Sequence, residues 1–405
     1  MANNNHKFPS TETAWKKNVA EQGLTGASIH NMDHTKSGSK TDWPQFLLCR
    51  VLYQAYNAKK FQTEMDTNPP VIESPDSYAK ARQHLKRYDA WRAYINNIFE
   101  PKHTTMKQRP FTNLGIFSLV RYHQLAAYQV PQVDYYSDDP PKTAMKTRSQ
   151  TEAARGKATS HPPSTPELPA DDSESVVLAG FASLDLVGGG DKPHDSPEAR
   201  SAISEHSGYT PAEIAYYKAS KDEQIVNMAL ILYLNALTIQ FPEVKGDWSL
   251  HRGSFVFKNR AEPQNPIPIF EARVDGYFET HSREIAAIVE AKSALRESTR
   301  EKIRMQEASQ FAAWINQHPP QQYQKDGTAR RLMISQDRHE IYVTVGTFTP
   351  GYVAYITNSP QTKPRTRSQS LEFLNLTEYG PFSTIKDKHM EVLGRAMLAF
   401  CTEAC

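Results

Sequence analysis

The chain has 405 residues and a formal net charge of +2, so it has no overall positive field to attract polyanions, and any contact with nucleic acid has to come from a local patch. Its three cysteines, Cys49, Cys401 and Cys405, suit neither a disulfide framework nor a zinc cluster, which indicates a reducing compartment. The sequence has no secretory signal and no apolar run of about 18 residues, so we expect an intracellular protein without membrane association.

Residues 1–136 are predicted to form a small helical N-terminal region. One helix is expected from about Trp43 to Tyr56, a second from Ser77 to about Ile98, and a third from about Asn113 to Tyr128. Apolar residues recur at near-helical spacing in these segments, and Ser77 is a candidate N-cap of the second helix. Nothing in this region indicates a reaction.

The second predicted helix carries cations beside its tyrosines, namely Lys80, Arg82, His84, Lys86, Arg87 and Arg92. A basic helix face with interleaved aromatic rings is typical of surfaces that follow a phosphate backbone and stack on bases. An ordinary solvated helix face has the same composition, so both interpretations stay open.

Residues 137–207 differ sharply in composition, with clusters of proline, serine, glycine and charged residues. Such a segment cannot bury enough apolar surface to offset the entropy lost on ordering, so it is predicted to be a largely disordered linker. A short apolar stretch from Val176 to Val187 interrupts it and is a candidate strand or helix. Residues 208–405 form the second predicted domain.

That second domain alternates helical and strand patterns. A helix start is predicted at Thr210 and Pro211, with the strongest helical pattern over residues 222–240. The elements expected next are strands over 249–258, 267–279 and 284–293, a helix over 299–317, strands over 331–335, 340–346 and 351–357, and a helix over 386–400. This order predicts an α/β or α+β fold.

Charged side chains lie at the ends of two of these predicted strands. Asp275 follows one apolar run, and Glu290-Ala291-Lys292 closes the next. Because side chains alternate along a strand, Glu290 and Lys292 point to the same face, where Asp275 can meet them. Paired carboxylates are costly unless a cation neutralises them, and a hard divalent ion is the usual partner. The alternative is a surface hairpin with solvated or ion-paired charges.

This arrangement resembles the active site of the PD-(D/E)XK nuclease superfamily, which includes restriction-like and RecB-like nucleases. The resemblance covers roughly residues 210 to 400 and implies an αβββαβ core, with Val274 in place of the proline that precedes the aspartate in the family motif. It implies that Asp275, Glu290 and the backbone carbonyl of Ala291 bind Mg²⁺ or Mn²⁺. The stretch 334–342 resembles fungal members of the same superfamily.

The resemblance also implies roles for neighbouring residues. Lys292 would position the attacking water or a phosphate oxygen, and Glu223, near the start of the first helix of the domain, would support the metal through water. Gln306 and Gln310 lie four residues apart on one helix face, and residues 310–314 resemble the Gln-X-X-X-Tyr element of RecB-like members with tryptophan in place of tyrosine. A helix-start glutamate favoured by the helix dipole, and an exposed polar helix face, are the structural alternatives.

The predicted function is metal-dependent hydrolysis of phosphodiester bonds in nucleic acid, DNA in preference to RNA, and a DNA substrate would favour the nucleus. The alternative is a catalytically silent module of the same fold that binds nucleic acid or a protein. A zinc site at His339 is disfavoured because no second histidine shares its motif, and no phosphate-binding glycine loop or nucleophilic serine elbow is found.

Overall fold

A computed structural model describes residues 6–32, 34–99, 111, 113–130, 211–358 and 371–405 of the chain. The chain divides into two units, one formed by residues 1–138 and 218–405 and the other by residues 139–217. Residues 1–138 therefore belong to the same unit as the C-terminal half. The predicted linker, residues 137–207, and its apolar stretch from Val176 to Val187 lie outside the described residues.

The N-terminal part of the first unit is mainly helical and adds a strand to the main sheet. Its elements are α1 (Glu12–Glu21), α2 (Trp43–Leu48), β1 (Val51–Tyr56), α3 (Ala58–Thr67), α4 (Pro75–Arg87), α5 (Asp89–Asn96) and α6 (Phe117–Gln129). The third predicted helix is confirmed as α6, although it begins four residues later than expected.

The helix predicted from Trp43 to Tyr56 is wrong beyond Leu48. The chain turns at Arg50, whose φ is +52°, and then enters β1. This strand pairs in parallel with a strand near the C-terminus, with Val51 opposite Leu374. A partner so distant in the chain overrides the local helical pattern, because pairing and burial determine β-structure more than local propensity does.

The helix predicted from Ser77 to Ile98 consists of two helices, α4 and α5, that meet at Tyr88. The backbone of Tyr88 has φ −82° and ψ 104°, which interrupts the helical conformation. The cap of α4 is Ser74, whose hydroxyl accepts a hydrogen bond from the amide of Asp76 (3.3 Å), and Pro75 lies in the first turn. The prediction of Ser77 as the cap is therefore wrong.

From residue 211 onward the chain alternates helices and strands. The elements are α7 (Pro211–Thr238), β2 (Gly246–Ser249), β3 (Gly253–Asn259), β4 (Ile267–Val274), β5 (Gly276–Thr280), β6 (Ile285–Lys292), α8 (Arg296–Gln317), β7 (Ala329–Asp337), β8 (Glu340–Phe348), α9 (Pro350–Thr357), β9 (Leu374–Ser383) and α10 (Asp387–Glu403). The three predicted helices of this part and the strands over 284–293, 331–335 and 340–346 are confirmed with small shifts of their ends. The strand predicted over 267–279 is divided into β4 and β5 at Asp275.

Residues 351–357, predicted as a strand, form helix α9, and β9 is absent from the predicted elements. The hydroxyl of Thr349 caps α9 by accepting a hydrogen bond from the amide of Tyr352 (3.2 Å), and Pro350 lies in the first turn. These two features are ordinary helix-start signals, but the aromatic and β-branched residues that follow have strand-like composition.

The described strands form a seven-stranded mixed sheet in the order β1-β9-β8-β7-β6-β5-β2, and β3 pairs with β4 in a separate two-stranded sheet. The pairs β1–β9 and β6–β7 are parallel, and the other neighbours are antiparallel. Helix α8 makes the crossover between the parallel strands β6 and β7, as parallel pairing requires. The fold is therefore mixed α and β, in agreement with the predicted α+β class.

Helices cover both faces of the large sheet. On one face, α8 packs with α1, α2 and the β3–β4 sheet, and Phe311 and Trp314 lie in this core. On the other face, α3, α4, α5, α7 and α10 surround Trp91 and Tyr233. Because both faces of β6 are buried, the charged groups at its C-terminal end are unusual for a core strand.

Candidate active site

Asp275 lies at the junction of β4 and β5, where the chain leaves the two-stranded sheet and enters the seven-stranded one. Its backbone amide donates to the carbonyl of Val289 on β6 (2.9 Å), and its Oδ2 accepts from the amide of Ala291 (3.1 Å). On the other side, Asn227 of α7 donates to the Asp275 carbonyl (2.9 Å). These contacts fix the carboxylate of Asp275 beside the C-terminal end of β6.

Glu290 and Lys292 share one face of β6 and meet Glu223 of α7. The Lys292 ammonium donates to Glu290 Oε1 (2.6 Å) and to Glu223 Oε1 (3.3 Å). The side chain of Glu290 is 3% exposed, and those of Lys292 and Glu223 are 22% and 24% exposed. The hairpin is not at the surface as the structural alternative expected, because the central carboxylate is buried, although Glu290 and Lys292 are ion-paired as that alternative also expected.

Gln306 and Gln310 of α8 complete the surroundings of Glu290. Gln306 donates to Glu290 Oε1 (2.6 Å), and Gln310 donates to Glu290 Oε2 (2.6 Å) and to the carbonyl of Arg273 (2.7 Å). Gln310 is fully buried, so its helix face is not the exposed polar face of the structural alternative. The structure thus brings together all six side chains predicted to form the site.

The acidic residues of the site are mutually repulsive, and this affects their protonation. Burial, together with the neighbouring Asp275 and Glu223 carboxylates, raises the pKa of Glu290 to about 8, although the Lys292 ammonium opposes the shift. Burial disfavours the charge on Lys292, but Glu290, Glu223 and Asp275 outweigh it and raise the pKa of its amine well above the ordinary value. Lys292 is therefore charged at neutral pH.

The described residues contain no group of three or more His, Cys, Asp or Glu side chains arranged to hold a metal ion. The donor set at this site is smaller and consists of Glu290 and Asp275, whose Oδ2 accepts a hydrogen bond from the amide of Ala291, the residue after Glu290 (3.1 Å). Mg²⁺ commonly binds through one or two carboxylates and keeps several of its waters. By donor chemistry, two carboxylates are ligands of the kind that Mg²⁺ or Mn²⁺ takes, and an all-oxygen donor set does not suit structural zinc.

A buried ionic network lies directly beside the site. Its centre is Arg296, which is 1% exposed at the start of α8. Arg296 donates to Asp337 (2.7 Å), Glu307 (2.5 Å), Glu378 (2.5 Å) and Ser335 (2.8 Å), and Arg304 and Tyr53 also donate to Glu378 (2.6 and 2.8 Å). Asp337 is paired in register with Lys292, so the network connects the end of β6 with β7, β9, β1 and α8.

Opposing effects set the protonation of two carboxyl groups in this network. Burial raises the pKa of Asp337 to about 6, although Arg296 opposes the shift. Burial also acts to raise the pKa of Glu378, but Arg296 and Arg304 outweigh it and lower that pKa to about 2. Glu378 is therefore an anion that holds both arginines.

The basic residues predicted on the second helix are placed in different surroundings. Arg82, Lys86 and Arg92 line a groove of about 820 Å³ between α4, α5 and α10, together with the acidic residues Asp66, Asp387 and Glu391. His84 instead packs edge-on against Phe241, with ring centroids 4.5 Å apart. None of the predicted site residues lines this groove, and its mixture of acids and bases favours an ordinary solvated face.

Two residues near the site are missing from the sequence prediction. Asn227 lies one helical turn after Glu223, so its place on the same face of α7 was predictable from the spacing. Arg252, in the loop between β2 and β3, lies 3.4 Å from Asp275 Oδ1. No sequence signal indicates Arg252, because its position depends on the register of two separate strand pairs.

Comparison of the chain with protein-family models, with curated proteins and with solved structures returned no match. In the described ranges, every helix is too short or too polar to cross a membrane.

Proposed function

We propose that this protein is a metal-dependent nuclease of the PD-(D/E)XK type that hydrolyses phosphodiester bonds in DNA, or in RNA. The observation that carries the proposal is the convergence of Asp275, Glu290 and Lys292 beside one another at the end of β6. Asp275 comes from the junction of β4 and β5 and the other two from β6, and residues of two helices hold them. Charged side chains that are fixed in this way by hydrogen bonds from neighbouring elements are typical of a site that requires fixed geometry.

The order of the elements around the site also supports the proposal. Helix α7 precedes the sheet strands β2, β5 and β6, which are followed by α8 and the parallel strand β7. This order agrees with an αβββαβ core into which the β3–β4 hairpin is inserted. The C-terminal ends of the parallel strands β6 and β7 carry the charged residues, the usual location of sites in sheets of this kind.

Asp275 and Glu290, with the backbone carbonyl of Ala291, would hold the Mg²⁺ or Mn²⁺ ion. When bound, such an ion lowers the pKa of a coordinated water and offsets negative charge on the phosphate. Gln306 and Gln310 orient the Glu290 carboxylate, and the main-chain amide of Ala291 orients that of Asp275. These donors leave neither carboxylate free to rotate.

Lys292 supplies the positive charge that the reaction requires. Its ammonium is held between Glu290 and Glu223, and it is 22% exposed, so it can reach a group that enters from solvent. From there it can donate to the attacking water or to a phosphate oxygen and stabilise the charge that develops there. A nuclear location would follow if DNA is the substrate.

The second candidate is a catalytically silent module that keeps the fold to bind nucleic acid or a protein. One observation favours it: Glu290 is 3% exposed, and its two oxygens already accept hydrogen bonds from Lys292, Gln306 and Gln310. If this arrangement were rigid, no ion would displace these donors. Binding of nucleic acid without cleavage would then be the outcome.

Cleavage assays of variants separate the two candidates. Fluorescently labelled single-stranded DNA, duplex DNA and RNA are incubated with Mg²⁺ and with the wild type, Glu290→Gln or Lys292→Ala. We expect each substitution to lower the rate by about 100-fold or more, because each removes a charge that acts in the transition state. Glu279→Gln is the matched control, since Glu279 lies on β5 with only a loose 3.4 Å ion pair. Equal rates in all four proteins would overturn the enzymatic proposal.

A further inference from the structure

The three-residue loop between β2 and β3 is brought to the mouth of the candidate site by strand pairing on both of its sides. Before the loop, Ser249 of β2 pairs with Tyr277 of β5, and after the loop, Gly253 of β3 pairs with Val274 of β4. The partners Val274 and Tyr277 flank Asp275 in the chain. Strand pairing on both sides of the loop therefore places residues 250–252 beside the Asp275 carboxylate.

The backbone of this loop is closely packed against the junction that carries Asp275. A Cβ atom at Gly276 would lie 2.5 Å from the carbonyl oxygen of Ser249, so the two chain segments approach as closely as glycine allows. The amide of His251 donates to the Ser249 hydroxyl (3.1 Å), which fixes the turn. These contacts hold the backbone of the loop in place up to Arg252, whereas the Arg252 side chain is 61% exposed.

The contact of Arg252 with the site is loose. Its Nε lies 3.4 Å from Asp275 Oδ1, beyond the usual range for an N–H···O hydrogen bond. Among the described residues, this is the only ion pair or hydrogen bond that Arg252 makes. The Arg252 side chain is therefore largely exposed to solvent beside a carboxylate that would bind the metal ion.

The charges of the site favour a negatively charged ligand once a divalent ion is present. Three carboxylates (Glu223, Asp275 and Glu290) and two cations (Lys292 and Arg252) give a formal charge of −3 + 2 = −1 when all are ionised. An ion of charge +2 changes this to +1, which one phosphodiester neutralises. Without Arg252 the loaded site would have no net charge and would attract the phosphate less strongly.

We propose that Arg252 binds the substrate, contacting the phosphate that enters the site beside the Asp275 carboxylate. The proposal rests on the nuclease function proposed above and adds a substrate-binding residue to it. A guanidinium suits this role because its planar fork can donate two parallel hydrogen bonds to phosphate oxygens. The fixed loop backbone would limit the entropy lost when the side chain binds.

The test compares Arg252→Gln and Arg252→Lys with the matched control Arg283→Gln. Arg283 is also exposed and also makes a 3.4 Å pair with a carboxylate, Glu279, at the opposite end of β5. Binding of fluorescein-labelled duplex DNA is followed by fluorescence anisotropy over a range of salt concentrations with Ca²⁺, and cleavage is followed with Mg²⁺. Thermal unfolding of each variant checks that the fold is intact.

We expect Arg252→Gln to weaken binding about tenfold and to reduce the slope of log K against log salt by about one, because one phosphate contact is lost. In cleavage, KM should rise while kcat changes little. Arg252→Lys should recover part of the affinity, and Arg283→Gln should behave as the wild type. These results would not follow from a purely structural role.

Two outcomes overturn the proposal: in the first it fails alone, and in the second it fails together with the nuclease function. If the wild type cleaves nucleic acid and Arg252→Gln matches Arg283→Gln in KM and in the slope of log K against log salt, Arg252 does not bind the substrate. The nuclease function would still stand in that case. If the wild type neither cleaves nor binds any of the three nucleic acids, both proposals fail. Binding that depends on Arg252 without cleavage would support the contact and refute the catalysis.

Discussion

Replacing Gln310 with methionine tests whether α8 holds the Glu290 carboxylate in place. In the wild type, the Gln310 amide nitrogen donates to Glu290 Oε2 and to the carbonyl of Arg273, both at less than 2.8 Å. Methionine has a similar length and no hydrogen-bond donor, so it keeps the packing and removes both bonds. The buried Glu290 Oε2 and the Arg273 carbonyl would then lose these partners.

The expected loss of stability follows from the groups left behind. Above about pH 8 Glu290 is ionised, and the measurement is made there. A hydrogen bond to such a charged acceptor contributes about 1.5–3 kcal/mol and one to a neutral carbonyl about 1 kcal/mol. The Gln310 Oε1 oxygen is itself buried without a hydrogen-bond partner, so its removal stabilises the folded protein by about 1 kcal/mol and offsets part of this loss. The free energy of unfolding should therefore fall by about 2 kcal/mol.

Urea unfolding of the metal-free protein measures this change, and isothermal titration with Mn²⁺ measures the affinity of the site. We expect Gln310→Met to weaken Mn²⁺ binding by about 10- to 100-fold, the usual effect of losing a group that orients a ligand. Gln317→Met is the control for Mn²⁺ affinity, because Gln317 lies on the same helix but accepts from the amide of Val256 (2.6 Å) and donates to His318 instead of to the site. Unchanged Mn²⁺ affinity in a folded Gln310→Met protein would refute the orienting role.

Three further predictions concern protonation, the ionic network and a helix cap. Because the pKa of Glu290 is raised to about 8 and metal binding requires its anion, the affinity for Mn²⁺ should rise with pH until about pH 8. Isothermal titration of Glu290→Gln should show a flatter dependence of the Mn²⁺ affinity on pH. An equally steep dependence in that variant would contradict the prediction. Arg296→Met should lower the free energy of unfolding by about 3–5 kcal/mol, since it leaves three buried carboxylates without their positive partner. A urea unfolding midpoint like that of the wild type would contradict this loss of stability. Thr349→Ala should cost about 1 kcal/mol by removing the cap of α9, whereas Thr349→Ser should not, as measured by thermal unfolding.

Four members of the candidate site could be predicted to share faces from sequence because they lie at positions that local periodicity defines. Glu290 and Lys292 share a face by the two-residue repeat of a strand, and Gln306 and Gln310 share a face by the helical repeat. Their meeting in space required only that α8 cross over β6. The resemblance to a known nuclease motif supplied that step.

Other features depend on long-range pairing and could not be predicted in this way. The strand at Val51–Tyr56 has a local pattern that suits a helix, and only its pairing with β9 makes it a strand. The same holds for Arg252, which reaches Asp275 through the register of two strand pairs. In the Arg296 network, acids from three separate elements converge on one buried guanidinium, an arrangement without a sequence repeat.

The dependence of cleavage on Mg²⁺ tests the central proposal most directly. The initial rate of cleavage of labelled DNA is measured over a range of Mg²⁺ concentrations with the wild type, Asp275→Asn and the control Glu279→Gln. We predict that the wild type and the control show the same saturable dependence on Mg²⁺ and lose activity with EDTA, and that Asp275→Asn is nearly inactive. Cleavage that is independent of Mg²⁺, or equal in Asp275→Asn and the wild type, would contradict the proposed site.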